Sequence, residues 1–219
     1  MVADREELIE KITSLVLENW DRLSGEPYQV PVGISARHVH LTREHVEQLF
    51  GAGHRLTPMK ALSQPGQFAC EEQVAVCGPG GTFSRVRILG PERKQSQVEM
   101  ASGDCRILGL KPPVRTSGDL AGTPGAVLKG PEGQVSLTEG VIIADRHIHM
   151  TPKDACWFGV YDKERVNVVV KGPRGGVLSQ VLIRVTDDSR LDFHVDTDDA
   201  NAFSLKQGQW VTLRKDGTG

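Results

Sequence analysis

Four of the seven histidines stand in two His-x-His pairs, His38 with His40 and His147 with His149. In an extended chain, side chains two residues apart share a face, so each pair can close on one metal ion. The pairs belong to an internal repeat: Ala36 to Thr42 reads ARHVHLT, and Asp145 to Thr151 reads DRHIHMT. The likeness continues in GPGGTFSRVRI from Gly78 and GPRGGVLSQVLIRV from Gly172, as expected of a duplication. Overlaying the copies past these turns lays SQVEMASGDC on LDFHVDTDDA and sets Glu99 opposite His194. Each half then owns a pair plus one further ligand: His38, His40 and Glu99 in one, His147, His149 and His194 in the other. One His-x-His pair is a short, chance-prone pattern, but its recurrence in matched context argues for metal. Imidazole with carboxylate suits zinc, and three protein ligands with one open position mark a catalytic site. Cobalt or iron would fit the same histidines. His45 and His54 lie outside the repeat pattern and read as a helix-face and a loop residue.

Arg85, Arg87, Arg93 and Lys94 cluster along and beyond a Gly-Pro turn, a few residues before Glu99. The planar fork of arginine matches a phosphate, which would couple an anion site to a metal site. The plainer reading of such a charge run is a solvated basic edge. Arg37 and Arg146 point away from the ligands on an extended strand, which favours structural pairing. No Ser-His-Asp order or exposed nucleophilic cysteine stands out, so no covalent enzyme intermediate is expected.

These residues need a scaffold. Only 5% of the 219 residues are aromatic, while 24 are Gly and 12 Pro, which favours short strands joined by turns. Runs such as YQVPVGIS, RVNVVVKGPRGG and VLIRVTDD repeat this punctuation and predict barrels or sandwiches. Thr42 and Thr151 are natural N-caps for short helices, with Pro152 suited to the first helical position. Leu8, Ile9, Ile12, Leu15, Val16 and Trp20 recur at helical spacing, with Gly25 and Pro27 beyond them. This stripe is expected to dock on the body of the protein, the other reading being a detachable address for a partner shell. The stretch KPPVRTSGDLAGTPG, residues 111–125, reads as a linker.

A net charge of -2 and no interleaving of basic and aromatic residues give no reason to expect a nucleic-acid partner. No apolar run approaches the roughly 20 residues of a membrane span. Four cysteines without a C-x-x-C pair or a regular framework point to reduced cytosol.

From Val30 to about Ala202 the chain resembles the phosphate propanoyltransferases, the PduL-type phosphotransacylases associated with bacterial microcompartments. The strings that carry the resemblance include PVGISARHVHLT, LTPMKALSQPGQFACEE, ILGPERKQSQVE, PPVRTSGDLAGTPG, ADRHIHMTP and LDFHVDTDDANA. It implies a mainly β protein with two β-barrel domains related by duplication, a few short helices and an N-terminal helix. The implied division is 1–25 for that helix, 26–36 with 145–219 for one barrel, and 37–144 for the other, the barrels exchanging segments. It implies two zinc ions on the two ligand sets above, phosphate on Arg93 as the catalytic arginine, and coenzyme A on Gly33, Ile34, Ser35, Lys60, Arg87, Leu89 and Asn201. The implied reaction is short-chain acyl-CoA, propanoyl or acetyl, plus phosphate to acyl phosphate plus CoA, as in propanediol degradation. A homo-oligomer, with a dimer favoured, and microcompartment shell or cargo proteins complete the implied partners.

Two rival readings meet the same residues. His38, His40, Glu44 and Gly51 have cupin-like spacing, but Glu44 follows an N-cap and should turn away on a helix. A structural zinc barrel that only binds a partner would be favoured by a closed four-ligand site, whereas three ligands and a free position favour catalysis.

Overall fold

The computed structural model describes residues 2–18 and 28–215, and in the first helix the side chains of residues 7–17. The chain runs α1 (Val2–Glu18), β1 (Gln29–Ser35), β2 (His38–His40), α2 (Arg43–Phe50), β3 (Pro58–Ala61), β4 (Phe68–Cys77), β5 (Thr82–Gly90) and β6 (Gln97–Glu99). It continues with α3 (Ser102–Leu108), β7 (Val114–Arg115), β8 (Val127–Lys129), β9 (Gln134–Ser136), β10 (Val141–Ala144) and β11 (His147–Met150). The last elements are α4 (Pro152–Phe158), β12 (Arg165–Val170), β13 (Gly176–Val185), β14 (Asp192–Asp196), α5 (Thr197–Phe203) and β15 (Trp210–Arg214).

Turn residues keep the strands short, and side-chain alternation decides what each strand buries. In β12, Val166, Val168 and Val170 face inward at 3% exposure or less. With Val30, Val32, Ile148, Phe193, Val195 and Val211 they fill a closed barrel of order β1-β14-β11-β13-β12-β15. A second core, built on Val39, Val74, Val86, Ile88, Val98 and Leu128, lies within a curled sheet of order β7-β10-β6-β2-β5-β4-β8-β9, with β3 paired to β4. Each such buried aliphatic or Phe side chain contributes roughly 1.5–3 kcal/mol.

The two sheets trade strands. β1, just before β2, pairs with β14 and β15 in the closed barrel, whereas β10, just before β11, pairs with β6 in the curled sheet. Both His-x-His strands therefore begin where the chain crosses from one sheet to the other.

The predicted caps form. Thr42 Oγ1 accepts the N–H of His45 at the start of α2, and Thr151 and Asp154 cap each other's backbone at α4, with Pro152 in the first turn. Arg37 makes a two-pronged contact with Asp104 at 2.8 and 3.1 Å, and Arg146 lies 3.6 Å from Asp199. These are the structural pairings expected of the two arginines.

Two expectations need correction. The stretch 111–125 is packed rather than a free linker: β7 pairs with β10, and Leu120 and Thr123 are buried. The hydroxyl of Thr123 donates to the Leu120 carbonyl and accepts from Gly140 N–H, so turn residues here serve a tight fold instead of a spacer. The stripe of α1 also does not join the body among the described residues. Leu8, Ile9, Ile12 and Leu15 are about half exposed, and none of α1 belongs to either core. Trp20, Gly25 and Pro27 lie outside the described residues. No described helix is long and apolar enough to cross a membrane.

Candidate functional site

Alternation that buries Val39 in its core turns His38 and His40 to the opposite face of β2. Across the antiparallel β2–β6 pair, His38 stands opposite Glu99 and His40 opposite Gln97. His38 Nδ1 lies 2.8 Å from the Ala36 carbonyl oxygen and His40 Nδ1 3.1 Å from that of Leu89. A carbonyl only accepts, so both rings carry a proton on Nδ1 and turn Nε2 toward Glu99. Those Nε2 atoms lie 3.5 and 4.0 Å from the Glu99 carboxylate.

The second half repeats the plan. Ile148 and Phe193 point into the barrel, so His147, His149, Asp192 and His194 share its outer face. His147 stands opposite His194, and His149 opposite Asp192. His147 Nδ1 is held by the Asp145 carbonyl at 2.7 Å, and its Nε2 lies 3.1 Å from His149 Nε2. In each triad the three prospective ligand atoms lie within 4.8 Å of one another. Lone pairs converging from neutral imidazoles, joined in one triad by a carboxylate, fit a divalent transition-metal cation.

Burial shapes the charges. It depresses His40 to about 3, with the neighbouring His38 ring and Arg93 adding to the effect. It depresses His147 to about 4 and His149 to about 2, aided by the adjoining imidazoles. All three rings are therefore neutral near pH 7, the form that binds metal. Burial pushes the Glu99 carboxyl up, but His38, His40, a Ser117 hydrogen bond and Arg93 together hold it down at about 2.

Both triads open on one cleft of about 770 Å³. Gly33, Ile34, Ser35, Lys60, Arg87, Leu89 and Arg93 line it as well. Asn201 is not among the lining residues; it is exposed on α5. Of the basic cluster, Arg87 and Arg93 reach the cleft, whereas Arg85 bonds Gln73 at 2.9 Å on the exposed side of β5 and Lys94 is exposed. Arg87 donates to the Cys70 and Glu71 carbonyls, and Arg93 to Ser117 Oγ at 2.9 Å. His45 bonds Ser96 and His54 bonds Glu72, and neither joins a triad. Glu44 sits exposed on α2, away from His38 and His40, so the cupin-like spacing assembles no site.

None of the four cysteines lines the cleft. Burial raises the thiols of Cys70 and Cys105 to about 11, with nearby acidic groups acting in the same direction.

Ser117 and Arg184 also line the cleft, and sequence reasoning did not single them out. Ser117 sits in the stretch read as a linker. Arg184 stands beside His149 on β13, the register at which β5 carries Leu89 beside His40; the repeat overlay could have exposed that difference. Burial lowers both the Arg93 and Arg184 guanidinium pKa, Glu99 opposing it in each case. Both guanidinium groups thus face the cleft that also holds the Glu99 carboxylate.

The profile of the family described as phosphate propanoyltransferase matches residues 31–206. A phosphate propanoyltransferase of Thermotoga maritima is 53% identical over 90% of this chain and 94% of its own length. One from Rhodobacter capsulatus is 47% identical over 95% and 97%, and one from Listeria monocytogenes 47% over 91% and 93%. Matches this long and this close leave one assignment: the chain belongs to the phosphate propanoyltransferase family and is an acyltransferase.

Proposed function

We propose that this enzyme interconverts short-chain acyl-CoA, propanoyl-CoA or acetyl-CoA, and phosphate with acyl phosphate and free CoA, in a cleft that holds two zinc ions. The observation that carries the reading is the meeting of two three-ligand groups with Arg93 in one cleft. Bound at the triads, zinc supplies Lewis acidity toward a thioester carbonyl and the departing thiolate.

The chain's own residues supply the rest. Arg93, anchored by Ser117, offers its fork to the phosphate dianion, and Arg184 adds a second positive charge; holding two anionic reactants together makes the attack nearly unimolecular. Gly33, Ile34 and Ser35 on β1, with Lys60, Arg87 and Leu89, line the wall on which coenzyme A would lie. Asn201, exposed on α5 outside the lining, completes the coenzyme A contacts of this reading. With no cysteine in the cleft and the buried thiols raised, a phosphate oxygen attacks the thioester carbon directly: the acyl C–O bond forms, the C–S bond breaks, and CoA leaves as a thiolate that takes up the proton the phosphate gives up.

In this reading residues 26–36 with 145–219 make one domain, built on the closed barrel, and residues 37–144 the other, built on the curled sheet, with 1–25 as an appended segment that carries α1. The exposed leucine and isoleucine side chains of α1 support a partner surface, consistent with a microcompartment address, and a dimer is the assembly we favour.

Thiol release from acetyl-CoA and propanoyl-CoA, followed with and without phosphate, before and after chelation and zinc restoration, tests the proposal. Phosphate-dependent release that disappears on chelation and returns with zinc supports it. A fully metallated protein that releases no CoA at any phosphate concentration overturns it.

A further inference from the structure

The two triads share a partner rule that their ligands alone do not display. Two residues before each third ligand, on the same face of the same strand, a buried polar side chain grips that ligand. In the first half Gln97, 1% exposed, donates from Nε2 to Glu99 Oε1 at 2.5 Å. In the second, Asp192, 4% exposed, accepts from His194 Nε2 at 2.9 Å. Gln97 and Asp192 also occupy equivalent registers, opposite His40 and His149. The chemistry is reversed between the halves: an amide donor serves a carboxylate ligand, and a carboxylate acceptor serves an imidazole ligand.

The orientation of His194 says which nitrogen remains for an ion. A Cβ on Gly33 of β1 would lie 2.7 Å from His194 Cδ2 and 2.8 and 2.9 Å from the Asp192 oxygens. The Cδ2–Nε2 edge of the ring therefore faces β1 and Asp192. Ser63 Oγ approaches the same Nε2 at 3.4 Å. Because β14 lies between β1 and β11 in the barrel, the opposite edge, with Nδ1, is the one left for the side of β11, which carries His147 and His149.

We propose that Asp192 is a positioning residue of the second metal site: it fixes the His194 tautomer with its proton on Nε2, aims Nδ1 at the ion, and gives that site a buried negative charge matching the one Glu99 supplies directly to the first. The inference rests on the two-zinc reading above. A carboxylate behind a metal-bound histidine raises the donor strength of the ring, whereas the Gln97 N–H draws charge from Glu99. Asp192 thus strengthens the weaker-charged ligand set and Gln97 moderates the stronger one.

The test is metal binding, read apart from turnover. Metal-free protein is titrated with zinc against a chromophoric chelator, and with cobalt(II) to record the visible bands of each bound equivalent. Wild-type protein that fails to take two equivalents overturns the two-zinc reading itself. Given two equivalents, Asp192→Asn is expected to weaken one of them roughly 10- to 100-fold and shift only its cobalt bands, while the other equivalent and the melting of the metal-free protein stay as in wild type. Unchanged affinity for both equivalents, or equal weakening of both, overturns the proposal. Should Asp192→Asn not fold, Gln97→Met decides: the same rule requires it to perturb the bands of the other equivalent alone, and perturbation of both or neither overturns the rule.

Discussion

His38 and Glu99 face each other across β2 and β6, with Nε2 3.5 Å from Oε2, and that single cross-strand pair joins the first copy of the repeat to its third ligand. Glu99 is buried, and Gln97 bonds one of its oxygens. Replacing it by Gln preserves the volume but removes the charge and one strong ligand. Glu99→Gln is expected to lose one zinc equivalent and to lower kcat by roughly 100-fold or more, with the second equivalent retained. Metal analysis of the purified variant beside its CoA-release rate checks both halves of the statement.

Arg93 is half-buried and tied to Ser117. A charged hydrogen-bonding group of this kind is worth about 1.5–3 kcal/mol, or roughly 10- to 150-fold. Arg93→Ala should raise the KM for phosphate by about that factor while moving the KM for acyl-CoA far less. Arg93→Lys should recover part of the loss, since it restores charge without the planar fork. Equal increases in both KM values would place Arg93 away from the phosphate.

Much of this arrangement was legible because duplication prints the same local physics twice. Period-two alternation made the faces of the His-x-His strands readable, and overlaying the copies brought Glu99 and His194 to equivalent positions. Threonine caps needed only local sequence, and the structure places Thr42 and Thr151 where their side chains accept helix N–H groups. What stayed hidden depends on contacts between distant segments. Ser117 reaches the cleft from a Pro- and Gly-rich stretch that composition makes look like a spacer, and only the β7–β10 pairing shows otherwise. Arg184 and Asp192 are unremarkable in type and gain meaning from their registers with His149. Asn201, carried to the site by a string match alone, lies on α5 outside the lining. For α1, amphipathic spacing predicted an apolar stripe but could not say whether this chain covers it.

Gly33 provides a steric test of the second site. Its backbone is ordinary β-strand, so alanine brings no conformational strain; the difficulty is the 2.7 Å approach to His194 Cδ2 and the 2.8 Å approach to Asp192. Accommodating the methyl group requires the His194 ring and the Asp192 carboxylate to turn or retreat. Overpacking of this kind costs about 1–3 kcal/mol. Gly33→Ala should therefore lower the stability of the metal-free protein by that amount in urea unfolding and weaken one zinc equivalent. A variant with normal metal content and normal stability would mean that His194 moves without cost and that the glycine is dispensable.

The depressed histidines make the metal-free protein sensitive to acid. His40, His147 and His149 are held at about 3, 4 and 2 by burial first and neighbouring rings second, against about 6.5 in an unfolded chain. Below about pH 6.5 the unfolded chain takes up protons that the folded rings refuse, so unfolding gains free energy as pH falls. The stabilising contribution of the neutral rings is thus complete above pH ~6.5, declines through the interval below it, and is lost once pH passes the folded values. Each ring contributes a slope of up to about 1.4 kcal/mol per pH unit. Urea unfolding of chelator-treated protein at about pH 7, 6 and 5 should show stability falling continuously, and replacing His149 by Gln should flatten that fall by one proton's worth. Zinc-loaded protein should resist the same acid shift at first, because a ligand that binds only the folded state adds stability, and should join the metal-free curve where protons displace the ion. A metal-free protein whose stability is level across that interval would mean that the folded protein takes up these protons as readily as the unfolded chain, for instance by sharing one between His147 Nε2 and His149 Nε2 at 3.1 Å.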